Sequence, residues 1–139
     1  ELLTAAIVDG LETAYARMQV AVAGIDDPEQ RLRTMIRTHL GNLLEGDCQA
    51  PMLIYELRSL DAAARADIGQ LADRYQRPWQ VTLDELAAAG KLRSAAPPLR
   101  LFLFGMLNWS KQWYRPDGAL SVDELTDCVL AMLITPPRR

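Results

Sequence analysis

Histidine and cysteine are scarce in this chain, and that scarcity narrows its chemistry first. One histidine, His39, and two cysteines, Cys48 and Cys128, occur in 139 residues. The cysteines lie far apart and follow no metal-ligand spacing. Two do not make a disulfide framework, so they read as reduced thiols of a cytoplasmic protein. A helical two-metal site needs Glu-x-x-His pairs on facing helices; His39 has Ile36 and Met35 before it, which excludes that site. A glycine-rich phosphate loop, a nucleophile elbow and a His-Glu-x-x-His zinc motif are absent. The acidic pairs Asp84-Glu85 and Asp123-Glu124 read as first-turn or solvated helix charges. An enzyme is not expected, nor a metal or cofactor.

Positive charge is also short. Fifteen basic residues stand against eighteen acidic ones, a net charge of −3, with no Lys/Arg-rich block. A domain that grips DNA by itself carries a basic stripe, so this chain alone is a poor DNA binder. No apolar run approaches the roughly 18 residues of a membrane span, and no signal peptide, alternating strand pattern, repeat or low-complexity tract is visible. Half the residues are apolar and 24% are charged, an ordinary globular composition for one domain.

What is present is helical periodicity. Leu3, Ile7, Leu11, Ala14, Met18 and Val22 mark a helix from Glu1 to about Val22. Asp27-Pro28 caps a second, running to about Glu45, with Leu32, Met35, Ile36, His39, Leu40, Leu43 and Leu44 as its buried stripe and Arg31, Arg33 and Arg37 on a solvated face. A short helix from Ala50 to about Leu60 follows. Asp61 then caps a long segment to Ala89, in which Pro78 demands either a kink or a break into two helices. Gly90 ends it, and the tail from Thr135 is expected to fray.

The richest stretch is Pro97 to Ile134. A helix to about Tyr114 carries Phe102, Met106, Trp109 and Trp113 at offsets of 0, 4, 7 and 11, one line down one face, with Leu101, Phe104 and Leu107 off it. A helix apolar on two sides is buried on two sides. After the turn Arg115-Pro116-Asp117-Gly118, Ser121 and Glu124 form a capping box for a last helix carrying Leu125, Val129, Met132 and Leu133. These residues set two expectations. Leu101, Phe104, Leu107, Leu125, Val129, Met132 and Leu133 form a homodimer interface, a four-helix bundle from two copies of the last two helices. Phe102, Met106, Trp109 and Trp113, with Tyr55, Tyr75, Trp79, Met52, His39 and Asn108, wall an apolar ligand pocket. For His39 the alternative is a core histidine bonded to a backbone carbonyl, and for Asn108 a hydrogen bond across the dimer interface.

Asn108-Trp109, Trp113-Tyr114-Arg115-Pro116, Gly118, Leu120-Ser121 and Asp123-Glu124-Leu125 resemble the last two helices of TetR-type bacterial transcriptional regulators, nearest to the subgroup responding to acyl-CoA or steroid-ring CoA thioesters. The resemblance implies an all-α antiparallel bundle of about six helices that binds a hydrophobic effector and dimerises. It also implies that a DNA-reading three-helix domain precedes Glu1 in the full protein, which leaves its operator when ligand binds. Rival expectations are a ligand-free helical dimerisation module and a small helical enzyme. For the phosphates of a CoA thioester, Arg58, Arg65, Arg74, Arg77 and Arg115 are candidates.

Overall fold

Three acidic or hydroxyl caps set the helix starts. Asp27 accepts from the Gln30 amide at 2.9 Å, Asp61 from Ala64 at 2.8 Å, and Ser121 from Glu124 at 3.1 Å, each satisfying an amide that the first helical turn leaves without a partner. The computed structural model describes residues 2–46 and 54–137, with the backbone alone described at 54–56. Its helices are α1 (Leu2–Val22), α2 (Pro28–Leu44), α3 (Ala62–Ala88), α4 (Leu99–Trp113) and α5 (Val122–Leu133), with a 3-10 segment at Ile54–Ser59 between α2 and α3. The fold is all-α as expected, and the expected short sixth helix is this 3-10 segment. Leu60 N bonds back three residues to Leu57 O at 3.2 Å, and the Asp61 cap follows at once, leaving no room for further α turns. The α3 helix runs unbroken through Pro78.

The bundle is organised around α2, which packs against α1, α3, α4 and α5. Bonds between side chains fix the directions. Arg17 meets Asn42, which ties α1 to α2. Arg31 meets Glu85 while His39 meets Tyr75, so α2 and α3 are antiparallel. Arg33 meets Asp127 and Arg37 meets Asp123, which makes α5 antiparallel to α2. These arginines are not merely a solvated face. Arg31 is also held by the carbonyls of Ile25 and Asp26 and by Thr82, because a guanidinium carries five donors and can tie several elements at once.

Most of the core is one cluster built from Met18, Leu32, Met35, Ile36, Trp79, Leu83, Leu103, Leu107, Leu125, Val129 and their neighbours. A smaller cluster, Ile7, Leu11 and Ile68, lies toward the other end of α1. The end of α3 is a Schellman cap: Gly90 sits at φ +69°, Gly90 N bonds Ala87 O at 3.0 Å, and Lys91 N bonds Leu86 O at 2.9 Å. The chain leaving that cap pairs with the chain leaving α5. Leu92 and Ile134 form an antiparallel bridge, with Arg93 N to Leu133 O and Thr135 N to Lys91 O both at 2.8 Å. Thr135 is therefore tied down, contrary to the expected fraying. Among the described residues no helix is long and apolar enough to cross a membrane.

Candidate functional site

Among the described residues, five side chains from three helices meet inside the bundle. His39 comes from α2, Tyr75 and Trp79 from α3, and Phe104 and Asn108 from α4. His39 and Asn108 lie on the stripes of their helices that face the core, which brings one polar group from each into a mostly apolar interior. His39 Nε2 is 2.7 Å from Asn108 Oδ1, and Nδ1 is 2.7 Å from the Tyr75 hydroxyl. An amide oxygen only accepts, so Nε2 carries the ring proton and donates it to Asn108. Nδ1 then accepts from the Tyr75 O–H. Around this relay, Trp79 and Phe104 stand edge-on to the imidazole at centroid distances of 5.7 and 5.6 Å, and to each other at 4.9 Å, the tilted geometry aromatic quadrupoles favour.

His39 is 1% exposed and Trp79 is fully buried. Burial pushes the His39 pKa down from 6.5 to about 4, with the Asn108 bond opposing it. Charging the ring would put an ion where little solvation is available, so at neutral pH the relay is neutral. Among the described residues the indole N–H of Trp79 has no acceptor, and the Nδ2 of Asn42 likewise lacks one. Buried unpartnered donors are rare in native interiors.

The structure divides the sequence-predicted residues differently from expectation. His39, Tyr75, Trp79 and Asn108 converge. The ring nitrogens of His39 are taken by Tyr75 and Asn108 rather than by a backbone carbonyl. Phe102 is 71% exposed, Trp109 67% and Trp113 51%, all on the outer face of α4, and Met106 is half-buried at its edge. They do not face Trp79 and His39. Leu101, at 61%, and Met132, at 54%, are also outward, where an interface needs them. Phe104, Leu107, Leu125, Val129 and Leu133 instead belong to the protomer's own core. The line of four was real, but the opposite side of α4 meets α2, because Asn108 must reach His39. Met52, Cys48 and the side chain of Tyr55 lie outside the described residues. Cys128 is exposed on α5.

Open depressions lie elsewhere. One of about 460 Å³ is lined by Leu11, Glu12, Tyr15, Ala16, Gln19, Leu71 and Arg74. A second, of about 560 Å³, shares Tyr15, Gln19 and Arg74 and continues past Arg77, Pro78 and Val81. Together they make one groove between α1 and α3. A third, of about 620 Å³, lies between the start of α2 and the end of α5, against Arg33, Lys91, Arg93 and Asp127. None of these reaches the His39 relay. Sequence reading missed Tyr15, Gln19 and Thr82, which carry no motif and join the groove only through the packing of α1 on α3. Among the described residues no group of His, Cys, Asp and Glu could hold a metal ion.

Residues 25–135 match the family described as tetracyclin repressor-like, C-terminal domain. No curated protein is significantly similar. Among solved structures, that of the superantigen pfit is 30% identical, with a TM-score of 0.81 over 98% of this chain and 75% of that one. The structure of AibR in complex with isovaleryl coenzyme A and operator DNA is 26% identical, with a TM-score of 0.83 over 97% of this chain and 74% of that one. The ketosteroid transcriptional regulator KstR2 of Mycobacterium tuberculosis shares the fold, at 17% identity and a TM-score of 0.72 over 98% of this chain and 73% of that one.

Proposed function

The chain belongs to the tetracyclin repressor-like family as its C-terminal domain, a regulator's domain and not an enzyme, and from that premise we propose that it senses a hydrophobic effector and dimerises. The effector is an acyl-CoA thioester, and the full regulator is a cytoplasmic homodimer that leaves its operator when the effector binds. The same reading places DNA-reading helices before α1 in the full protein; this chain spans 74% of the length of AibR, whose structure contains operator DNA. The observation that carries the ligand reading is the His39–Tyr75–Asn108 relay beside the unpartnered indole of Trp79. A purely structural core gains little from three buried polar groups and an orphan donor. A binding site needs a few placed polar groups in an apolar setting, and here a thioester carbonyl would accept from the Trp79 N–H.

The site is closed around Trp79, so ligand must prefer an opened arrangement. Switching the full protein from 1:99 to 99:1 needs about 5.5 kcal/mol of differential binding. The outer faces of α4 and α5, with Leu101, Phe102, Trp109, Trp113 and Met132 exposed, are the dimer surface. Apolar residues grouped this way on one face are otherwise uncommon on monomers. The closed packing around Trp79 favours one competing reading, a dimerisation module without a ligand. Titration calorimetry with acetyl-, isovaleryl- and longer-chain acyl-CoA separates the two. The ligand-sensing reading expects saturable binding of at least one thioester, weakened tenfold or more by Asn108→Leu. Heat of dilution alone for every thioester would leave only the module.

A further inference from the structure

We infer that the groove between α1 and α3 receives the phosphate-bearing half of the effector, with Arg74 and Arg77 as its anion contacts. This rests on the effector reading above and gives the ligand a second, charged foothold outside the relay. Although the chain carries −3 overall, guanidinium groups outnumber carboxylates here: Arg31, Arg74 and Arg77 against Glu12 and Glu85. Arg31 is already committed, to Glu85 at 2.9 Å and to three further acceptors. Arg74 lies over the Tyr15 ring at 4.3 Å, which orients its guanidinium without using its N–H donors. Among the described residues neither Arg74 nor Arg77 has a carboxylate partner, whereas Arg33 and Arg37 on the bundle's other side do.

Arg74 and Arg77 are three residues apart, so their Cβ atoms are neighbours on α3, about 5–6 Å apart. Two guanidinium forks at that spacing suit successive phosphates of a diphosphate ester better than a single carboxylate. The floor beyond them is apolar, with Leu11 and Leu71 toward one end and Val22 toward the other, so the organic arm of such a ligand also has a surface to lie on. The third depression is a weaker candidate for an anion. Its Arg33 is paired with Asp127, and its Arg93 is bonded to the Ala131 carbonyl.

The relay and the groove are two faces of one helix. Tyr75 adjoins Arg74 in sequence, and a helix with its side chains is only about 10–12 Å across. A thioester whose acyl end opens the Trp79 side and whose phosphates take Arg74 therefore loads α3 from both sides. It also competes with Tyr15 for Arg74, which alters how α1 is held against α3.

The test is calorimetric titration of the full chain and of R74Q/R77Q with three probes: isovaleryl-CoA, free coenzyme A, and the phosphate-free S-isovaleryl-N-acetylcysteamine. Both substitutions are at exposed positions, and an unchanged melting midpoint confirms that the variant is folded. The variant is expected to lose at least tenfold in affinity for both coenzyme A compounds and most of the salt dependence of their binding. It should keep its affinity for the phosphate-free thioester, and R33Q should behave as wild type. Unchanged coenzyme A binding by R74Q/R77Q overturns the groove assignment and leaves the effector reading intact. Wild-type binding of the phosphate-free thioester with no gain from the coenzyme A moiety has the same effect. A wild-type chain that binds none of the three overturns both.

Discussion

At the scale of single residues, His39 decides most. Its folded pKa, about 4, lies below its ordinary 6.5 because burial disfavours the charged ring. The unfolded chain therefore takes up a proton between those values that the folded chain refuses, and stability falls as pH drops from 6.5 toward 4. Between pH 7 and pH 5 this one group should cost about 2 kcal/mol. Urea melts at the two pH values should show that loss in wild type, and His39→Gln should lose less between them. A variant with an undiminished pH slope would mean the ring is not buried neutral. The two tryptophans should also part company. Trp79→Ala removes a fully buried ring and should cost about 3–5 kcal/mol. Trp109→Ala, at 67% exposure, should cost the folded monomer less than about 1 kcal/mol, measured below the dimer dissociation constant. In the sequence these two residues look alike, each an aromatic on an amphipathic stripe. Periodicity correctly grouped Phe102, Met106, Trp109 and Trp113, but a helix apolar on two sides does not say which side turns inward. The Asn108–His39 bond says so, and it joins residues 69 positions apart.

At the scale of elements, the helix limits were largely legible because they rest on local chemistry. Asp27, Asp61 and Ser121 cap the helices they were expected to cap, and Gly90 closes α3. Asp61→Ala should lower stability by about 1 kcal/mol, read from chemical denaturation, and no change would mean that α3 starts elsewhere. Less legible was the role of α2. Its arginines looked like a solvated face, yet Arg33 and Arg37 reach Asp127 and Asp123 on α5. Pairing across about 90 positions depends on topology, not on spacing. Both pairs are solvent-exposed, so Asp127→Ala should cost less than about 1 kcal/mol. A larger loss in the same denaturation series would make the α2–α5 contact depend on charge instead of on Leu125, Val129 and Leu133.

At the scale of the whole molecule, the all-α bundle could be anticipated from the run of capped amphipathic segments, while the assignment of faces could not. The proposed interface residues are chosen by exposure accordingly. Leu125→Asp would bury an unpaired charge in the protomer's core and should unfold the chain instead of freeing monomers. Phe102→Asp or Trp109→Asp places the charge on the outer face of α4 and should give folded monomers by sedimentation. A folded dimer in both would move the interface away from α4. We propose that two copies of this chain associate and that each takes up a CoA thioester. Native mass spectrometry of the purified chain with isovaleryl-CoA and its homologues reads both properties at once. The expected spectrum is dominated by twice the 15.5 kDa chain mass, shifted by one thioester per chain for at least one homologue. A spectrum of unliganded single chains across the whole series would contradict it.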